Sequence, residues 1–150
     1  PYGISGHVVH GRKLGRALAE GAPGRGDGFR TLNLRFSRRA HAWKPAASGI
    51  FVVEVHGLDE QPLPGVANLG VRPSLDPNDV NGGRVLLETH VLDWPAHLGP
   101  EGAYGKIIRV ELLHKLHDEL RYHSLAALTE GIARDCVDAR RWLAARAARI

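Results

Sequence analysis

Three short stretches carry residue types suited to chemistry on a phosphate. In GFRTLNL at 28–34, Thr31 and Asn33 stand two apart. Along a strand such positions share one face while Leu32 and Leu34 turn to the core. Two neutral oxygens side by side can hold a hard cation. Magnesium takes few protein ligands and completes its octahedron with water and substrate phosphates, so even a sparse pair can serve it. On their own residue types, the pair reads first as an ordinary solvent-facing polar face.

In LLETHVLD at 86–93, the same period groups Leu86, Glu88, His90 and Leu92 on one face and Leu87, Thr89, Val91 and Asp93 on the other. A carboxylate flanked by leucines tends to have a raised pKa, which brings Glu88 closer to usefulness as a general base. A strand face that shows Glu88 and His90 to water is the plainer local reading. The third stretch, GRKLGR at 11–16, offers Gly11 and Gly15 for close backbone approach to a phosphate, with Lys13 and Arg16 for charge. It has neither the GxxxxGK[ST] spacing of a P-loop nor GxGxxG. A flexible basic loop would look the same.

The remaining candidates are weaker. Nine histidines are present, but no pair has the spacing and acidic company of HExxH, so no zinc site is assigned. In KLHDELRY at 115–122, Asp118 and Glu119 suit ligand binding or the approach to a helix. Trp43, Trp94 and Trp142 suit a core or its edge. A single cysteine, Cys136, excludes an internal disulfide framework and a cysteine-rich metal site.

These residues need a scaffold, and the patterning supplies one. Strands are predicted at Ile4–Val9, Thr31–Phe36, Gly49–His56, Val66–Val71, Val85–Asp93 and Lys106–Leu116, from β-branched and aromatic content. Turn formers fill 57–64 and 76–84, and the glycine-rich 10–28 reads as a mobile loop. Only the C-terminus has helical period, with Leu125, Leu128, Ile132, Cys136, Ala139 and Leu143 recurring at threes and fours behind Ser124 as N-cap. Five or six short strands followed by one helix, without strand-helix alternation, predict a small antiparallel barrel that removes its own edges.

At 150 residues and 43% hydrophobic content, one domain is expected. No apolar run approaches the roughly 18 to 20 residues of a membrane span, and the N-terminus lacks a secretory layout, so a cytoplasmic location is expected. The chain contains no methionine, which makes Pro1 an internal residue of a longer polypeptide on this reading. A net charge of +4 and a pI near 9.7 favour nucleic acid, a membrane surface or nucleotide phosphates, or simply a solvated basic surface.

In order along the chain, these segments resemble the riboflavin kinase family. GHVVHGRKLGR at 6–16 is similar to that family's first strand and phosphate-covering flap, and GFRTLNL stands where the family has Gly-Phe-Pro-Thr-Ala-Asn. GIFVVEV at 49–55, VANLGVRP at 66–73, LETHVLD at 87–93, YGKIIRV at 104–110 and LHDELRY at 116–122 follow in family order. The resemblance implies a six-stranded antiparallel β-barrel with a C-terminal α-helix. It implies that Thr31 and Asn33 bind the Mg2+ of MgATP, that Glu88 takes the proton from the ribityl 5′-hydroxyl of riboflavin, and that Gly11, Lys13, Gly15 and Arg16 cover the phosphates. His90 and Tyr104 would lie near the nucleotide, and His117, Glu119 and Tyr122 would serve the flavin. It also implies an N-terminal FMN adenylyltransferase domain in the full-length protein.

Against the motif, Arg30 replaces proline, Leu32 replaces alanine, 19–27 looks inserted, and His117 stands where the family often has arginine. Two rival readings follow from the residues alone. A basic barrel could bind single-stranded nucleic acid, although Phe51 is the one aromatic in the central strands where several would be wanted for stacking. A flavin-binding barrel that never uses ATP is the other. Neither a nucleic-acid nor a membrane partner is expected.

Overall fold

The computed structural model describes residues 2–9, 30–35, 48–72, 84–99, 102 and 105–149. The predicted loop at 10–28 falls outside these residues, as do Tyr104 and most of the 76–84 turn. Within them the fold is mainly β: a curled antiparallel sheet with one C-terminal helix. The strands are β1 (Tyr2–Val9), β2 (Arg30–Arg35), β3 (Gly49–His56), β4 (Leu63–Arg72), β5 (Arg84–Val91) and β6 (Ile107–His117), and the helix is α1 (Leu125–Ala148). Pairing runs in the closed order β1-β2-β5-β4-β3-β6, with β6 returning to β1 through Ile4↔Val110 and its neighbours.

Strand alternation sorts the side chains into two apolar clusters. Leu32, Leu34, Phe51, Val53, Val55, Ala67, Leu69, Leu87, Val91, Ile108 and Val110 fill the interior of the curled sheet. Each fully buried Val or Leu contributes roughly 1.5 to 3 kcal/mol, so this interior is the principal source of stability. The intervening residues face out. The outward Ile50 and Val52 of β3 and Val66 of β4, with Leu92 just past β5, pack with Cys136 and Ala139 of α1, flanked by Ile132, Trp142 and Leu143. Leu125 is the exception to the predicted helical stripe and is exposed.

The helix starts where Ser124 Oγ accepts from the Ala127 N–H at 3.1 Å. It is tied to the sheet by Arg140, which donates to the Leu92 carbonyl and to both carboxylate oxygens of Asp93 at 3.0 Å. β4 begins at Leu63, three residues earlier than its pattern predicted, and takes Pro64 into the ladder opposite Glu54. Proline lacks the ladder donor, which is why the sequence read 57–64 as turn.

Candidate active site

Glu88 sits at the centre of a cross-strand row. On β5 it stands in register with Asn33 of β2 on one side and Asn68 of β4 on the other. Asn68 is in turn opposite Ile50 of β3, and Ile50 is opposite His117 of β6. The row His117, Ile50, Asn68, Glu88, Asn33 thus crosses five strands at one level, a span of about 19 Å along the curve at ~4.8 Å per strand. Two residue pairs along, Thr31 is opposite His90 and His90 is opposite Val66. The four positions Thr31, Asn33, Glu88 and His90 therefore form a compact block on two adjacent strands. Their neighbours Leu32, Leu34, Leu87 and Val91 lie in the interior cluster, so the block belongs to the outer wall.

Burial differentiates the members of this block. Glu88 is half-buried, whereas His90 is buried at 8% exposure. Burial pushes the His90 imidazole pKa down to about 4, so the ring is neutral near pH 7. It can act there as a hydrogen-bonding group but brings no positive charge to a phosphate.

Asn68 is the residue that sequence reasoning passed over. Its Oδ1 is buried and makes no hydrogen bond. An unsatisfied buried carbonyl oxygen costs about 1 to 3 kcal/mol, so the fold carries it at a loss unless a ligand completes it. The available signal was an asparagine in mid-strand with the alternation of a wall position, in a residue type that strands disfavour. Asn33, Glu88 and Asn68 occupy positions in register on three adjacent strands, and amide and carboxylate oxygens are the donor types that a hard divalent cation such as magnesium prefers.

At the far end of the row, His117 closes β6 and docks it on the helix. Its Nδ1 donates to the Asp118 carbonyl and its Nε2 pairs with Asp135 Oδ1, both at 2.6 Å. A carbonyl can only accept, so Nδ1 carries a proton, and with the carboxylate on Nε2 the arrangement favours the imidazolium. Burial alone would lower the His117 pKa, but these two contacts outweigh it and raise it. Burial also raises the Asp135 carboxyl, against the pull of His117. Tyr122 packs against the same helix face: a Cβ at Gly131 would collide with its hydroxyl and ring, so only glycine admits the ring there. Gly49, at φ 130, plays a similar part beneath the His117 carbonyl, 2.7 Å from where its Cβ would be. Glu119 is half-buried in the connecting segment.

The structure therefore brings together Thr31, Asn33, Glu88 and His90 as one group and His117 and Tyr122 as another. Gly11, Lys13, Gly15, Arg16 and Tyr104 lie outside the described residues. Asp135 and Gly131 were invisible in the sequence as partners of His117 and Tyr122, because both contacts cross from the β6 end to the helix.

A curled antiparallel sheet with one C-terminal helix packed on its outer wall defines the class as a small, mainly β barrel-like domain. The family model for riboflavin kinases (Flavokinase) matches residues 1–143, and the chain belongs to that family. It is 43% identical over 140 residues to the bifunctional riboflavin kinase/FMN adenylyltransferase of Escherichia coli K12, covering 93% of this chain and 37% of that protein. The protein of the same description from Pseudomonas fluorescens is 36% identical over 140 residues, covering 93% and 38% respectively. The chain thus spans little more than a third of the length of these curated relatives. Among solved structures, the fold is similar to riboflavin kinase from Trypanosoma brucei, with a TM-score of 0.51 and 19% identity over 94% of this chain and 78% of that one. It is also similar to a Streptococcus pneumoniae protein described as a macrolide-efflux protein, with a TM-score of 0.70 and 24% identity over 95% of this chain and 39% of that one. These two likenesses bear on the fold alone.

Proposed function

We propose that this chain is a riboflavin kinase module, a six-stranded barrel that transfers the γ-phosphate of ATP to the ribityl 5′-hydroxyl of riboflavin, giving FMN and ADP. The observation that carries the reading is the register of Asn33, Glu88 and Asn68 on three adjacent strands. Phosphoryl transfer asks a protein mainly for alignment and charge neutralisation, with a base only for the attacking alcohol. Glu88 is the carboxylate placed for that proton. Its half-buried position lets it reach a substrate while limiting competition from water.

The oxygen donors around Glu88 fit Mg2+, with Thr31 and Asn33 as its protein ligands on the family motif and Asn68 Oδ1 as a third oxygen in reach of the same cluster. Magnesium bound there would neutralise phosphate charge. Neutral His90 would hydrogen-bond on the nucleotide side, and Gly11, Lys13, Gly15, Arg16 and Tyr104 would cover the phosphates, a role that rests on the family motif. His117, Glu119 and Tyr122 would hold the flavin end of the row, where His117 fixes the segment to α1 through Asp135.

By the same reasoning, the full-length protein carries an N-terminal FMN adenylyltransferase domain and works in the cytoplasm. Among the described residues no helix is long and apolar enough to cross a membrane. Incubation of the chain with riboflavin and MgATP, followed by chromatography, should yield FMN. Folded protein that makes none would overturn the assignment.

A further inference from the structure

A second polar cluster lies on the outer wall, away from the Glu88 row, where the far end of β3 meets β6. Glu54 and His56 stand two apart on β3, and Glu111 of β6 is in register with Glu54. Each of the three offers one ligand atom, and these atoms all lie within 4.8 Å of one another. His56 Nε2 is 3.0 Å from Glu111 Oε2 and 3.7 Å from Glu54 Oε2. Four residues of strand separate Glu54 from Ile50, so the cluster is about 13 Å along β3 from the Glu88 row. It shares no residue with the site described above.

The geometry points to a zinc-class divalent cation held by Glu54, His56 and Glu111, and we propose this as a metal site. Ligands about 2.0 to 2.2 Å from a tetrahedral zinc are roughly 3.4 Å from one another, and the separations of His56 Nε2 from the two carboxylates bracket that value. A second observation concerns the nitrogen itself. His56 Nε2 is shut off from solvent yet makes no hydrogen bond with either carboxylate, despite their closeness. A cation between the three atoms would take that nitrogen's lone pair and both negative charges at once.

The surroundings assign separate work to the two oxygens of Glu54. Arg146 Nη1, near the end of α1, donates to Oε1 at 3.2 Å, which leaves Oε2 turned to His56. Arg146 is itself placed over the Trp142 ring, and Trp142 stacks on His114 of β6 at 5.1 Å. An outer contact of this kind orients a ligating carboxylate. The donor set selects among metals. Magnesium demands octahedral oxygen coordination, whereas one imidazole with two carboxylates suits zinc, cobalt or nickel. Three protein ligands leave a fourth position for water. The ion would clamp β3 to β6 beside the end of α1, a position that acts on the barrel wall and not on the phosphate chemistry.

The test uses the purified chain, stripped of metal and titrated with ZnCl2 by calorimetry, with CoCl2 as a spectroscopic substitute. The expected result is one tight equivalent of Zn2+, a tetrahedral cobalt absorption band, and a rise in melting temperature on zinc addition. His56→Asn and Glu111→Gln should each weaken zinc binding by at least tenfold or so, with FMN formation from MgATP unchanged. Because the chain holds nine histidines, anomalous scattering at the zinc edge should locate the ion on His56. Zinc binding equal in wild type and both variants, or no binding in folded wild type, would overturn the proposal. Neither result touches the kinase reading, which is scored by FMN formation alone.

Discussion

Glu88 and Glu111 are both half-buried carboxylates on the outer wall, each with a histidine close by, yet their cross-strand neighbours give them different chemistry. Glu88 has an asparagine in register on either side and lies two residues from a histidine that burial keeps neutral. Glu111 has a second carboxylate in register and an imidazole nitrogen at 3.0 Å. The first neighbourhood combines a carboxylate with amide residue types that suit a hard cation with a phosphate. The second mixes nitrogen with two negative charges and suits a borderline metal. Along either strand the two glutamates look alike, so the partner strands decide the role.

The sharpest way to break this contrast is to neutralise each carboxylate in turn. Glu88→Gln should lower FMN formation by ~100- to 10,000-fold, the usual contribution of a positioned base, with ATP binding largely retained. Glu111→Gln should leave turnover close to normal. Equal losses from the two would erase the distinction between the regions, and a near-normal rate for Glu88→Gln would remove it from the base role.

The next effect is on stability and comes from His90. Its folded pKa, about 4, lies below the ordinary 6.5, so between these values the unfolded chain binds the extra proton. Stability should therefore fall as pH drops from 6.5 towards 4, by about 3 kcal/mol on this group's account. Urea denaturation across that window, without metal or nucleotide, should show the slope in wild type and a shallower one in His90→Leu. An unchanged slope would mean that the ring is not held neutral.

Asn68 tests whether the oxygen row is built for a ligand or for the fold. Replacing it with leucine removes a buried oxygen that has no hydrogen bond, which should raise stability by about 1 to 3 kcal/mol. The same change should raise the Mg2+ concentration needed for half-maximal turnover on the order of tenfold. A more stable protein with unaltered magnesium dependence would leave Asn68 outside the site.

How much of this was legible in the sequence follows from which contacts are local. Strand alternation is local, so Leu32 and Leu34 inside and Thr31 and Asn33 on the opposite positions could be read directly, as could Ser124 at the helix start. The order of the motifs carried the family. Register is not local: nothing in LLETHVLD says that Glu88 will face Asn33 and Asn68, because that depends on β2 and β4 lying on either side of β5. The Glu54, His56 and Glu111 cluster was missed for the same reason. A search for HExxH looks for helical spacing, while these ligands are two apart on one strand and then fifty-five residues away on another, by subtraction of 56 from 111. Pro64 misled in the other direction, since proline argues against a strand that forms anyway.

The smallest predicted effect concerns the end of the row nearest the helix. His117 has its pKa raised: burial opposes the charge, but the Asp118 carbonyl and the Asp135 carboxylate prevail. A histidine with a raised folded pKa contributes stability that is complete below its unfolded value near 6.5 and is lost as pH rises through the folded value. The sign is opposite to that of His90, so the two histidines should weaken the protein in opposite directions of pH. That loss on the alkaline side should be smaller than the His90 effect, because the pair is only partly shielded from water. Riboflavin KM measured between pH 6 and 9 should rise over the same interval if the clip positions the flavin segment. His117→Arg keeps a positive charge throughout and should flatten both profiles. A rise in KM that persists in His117→Arg would place the pH dependence elsewhere and reduce the His117 to Asp135 contact to a fastening of β6 on the helix.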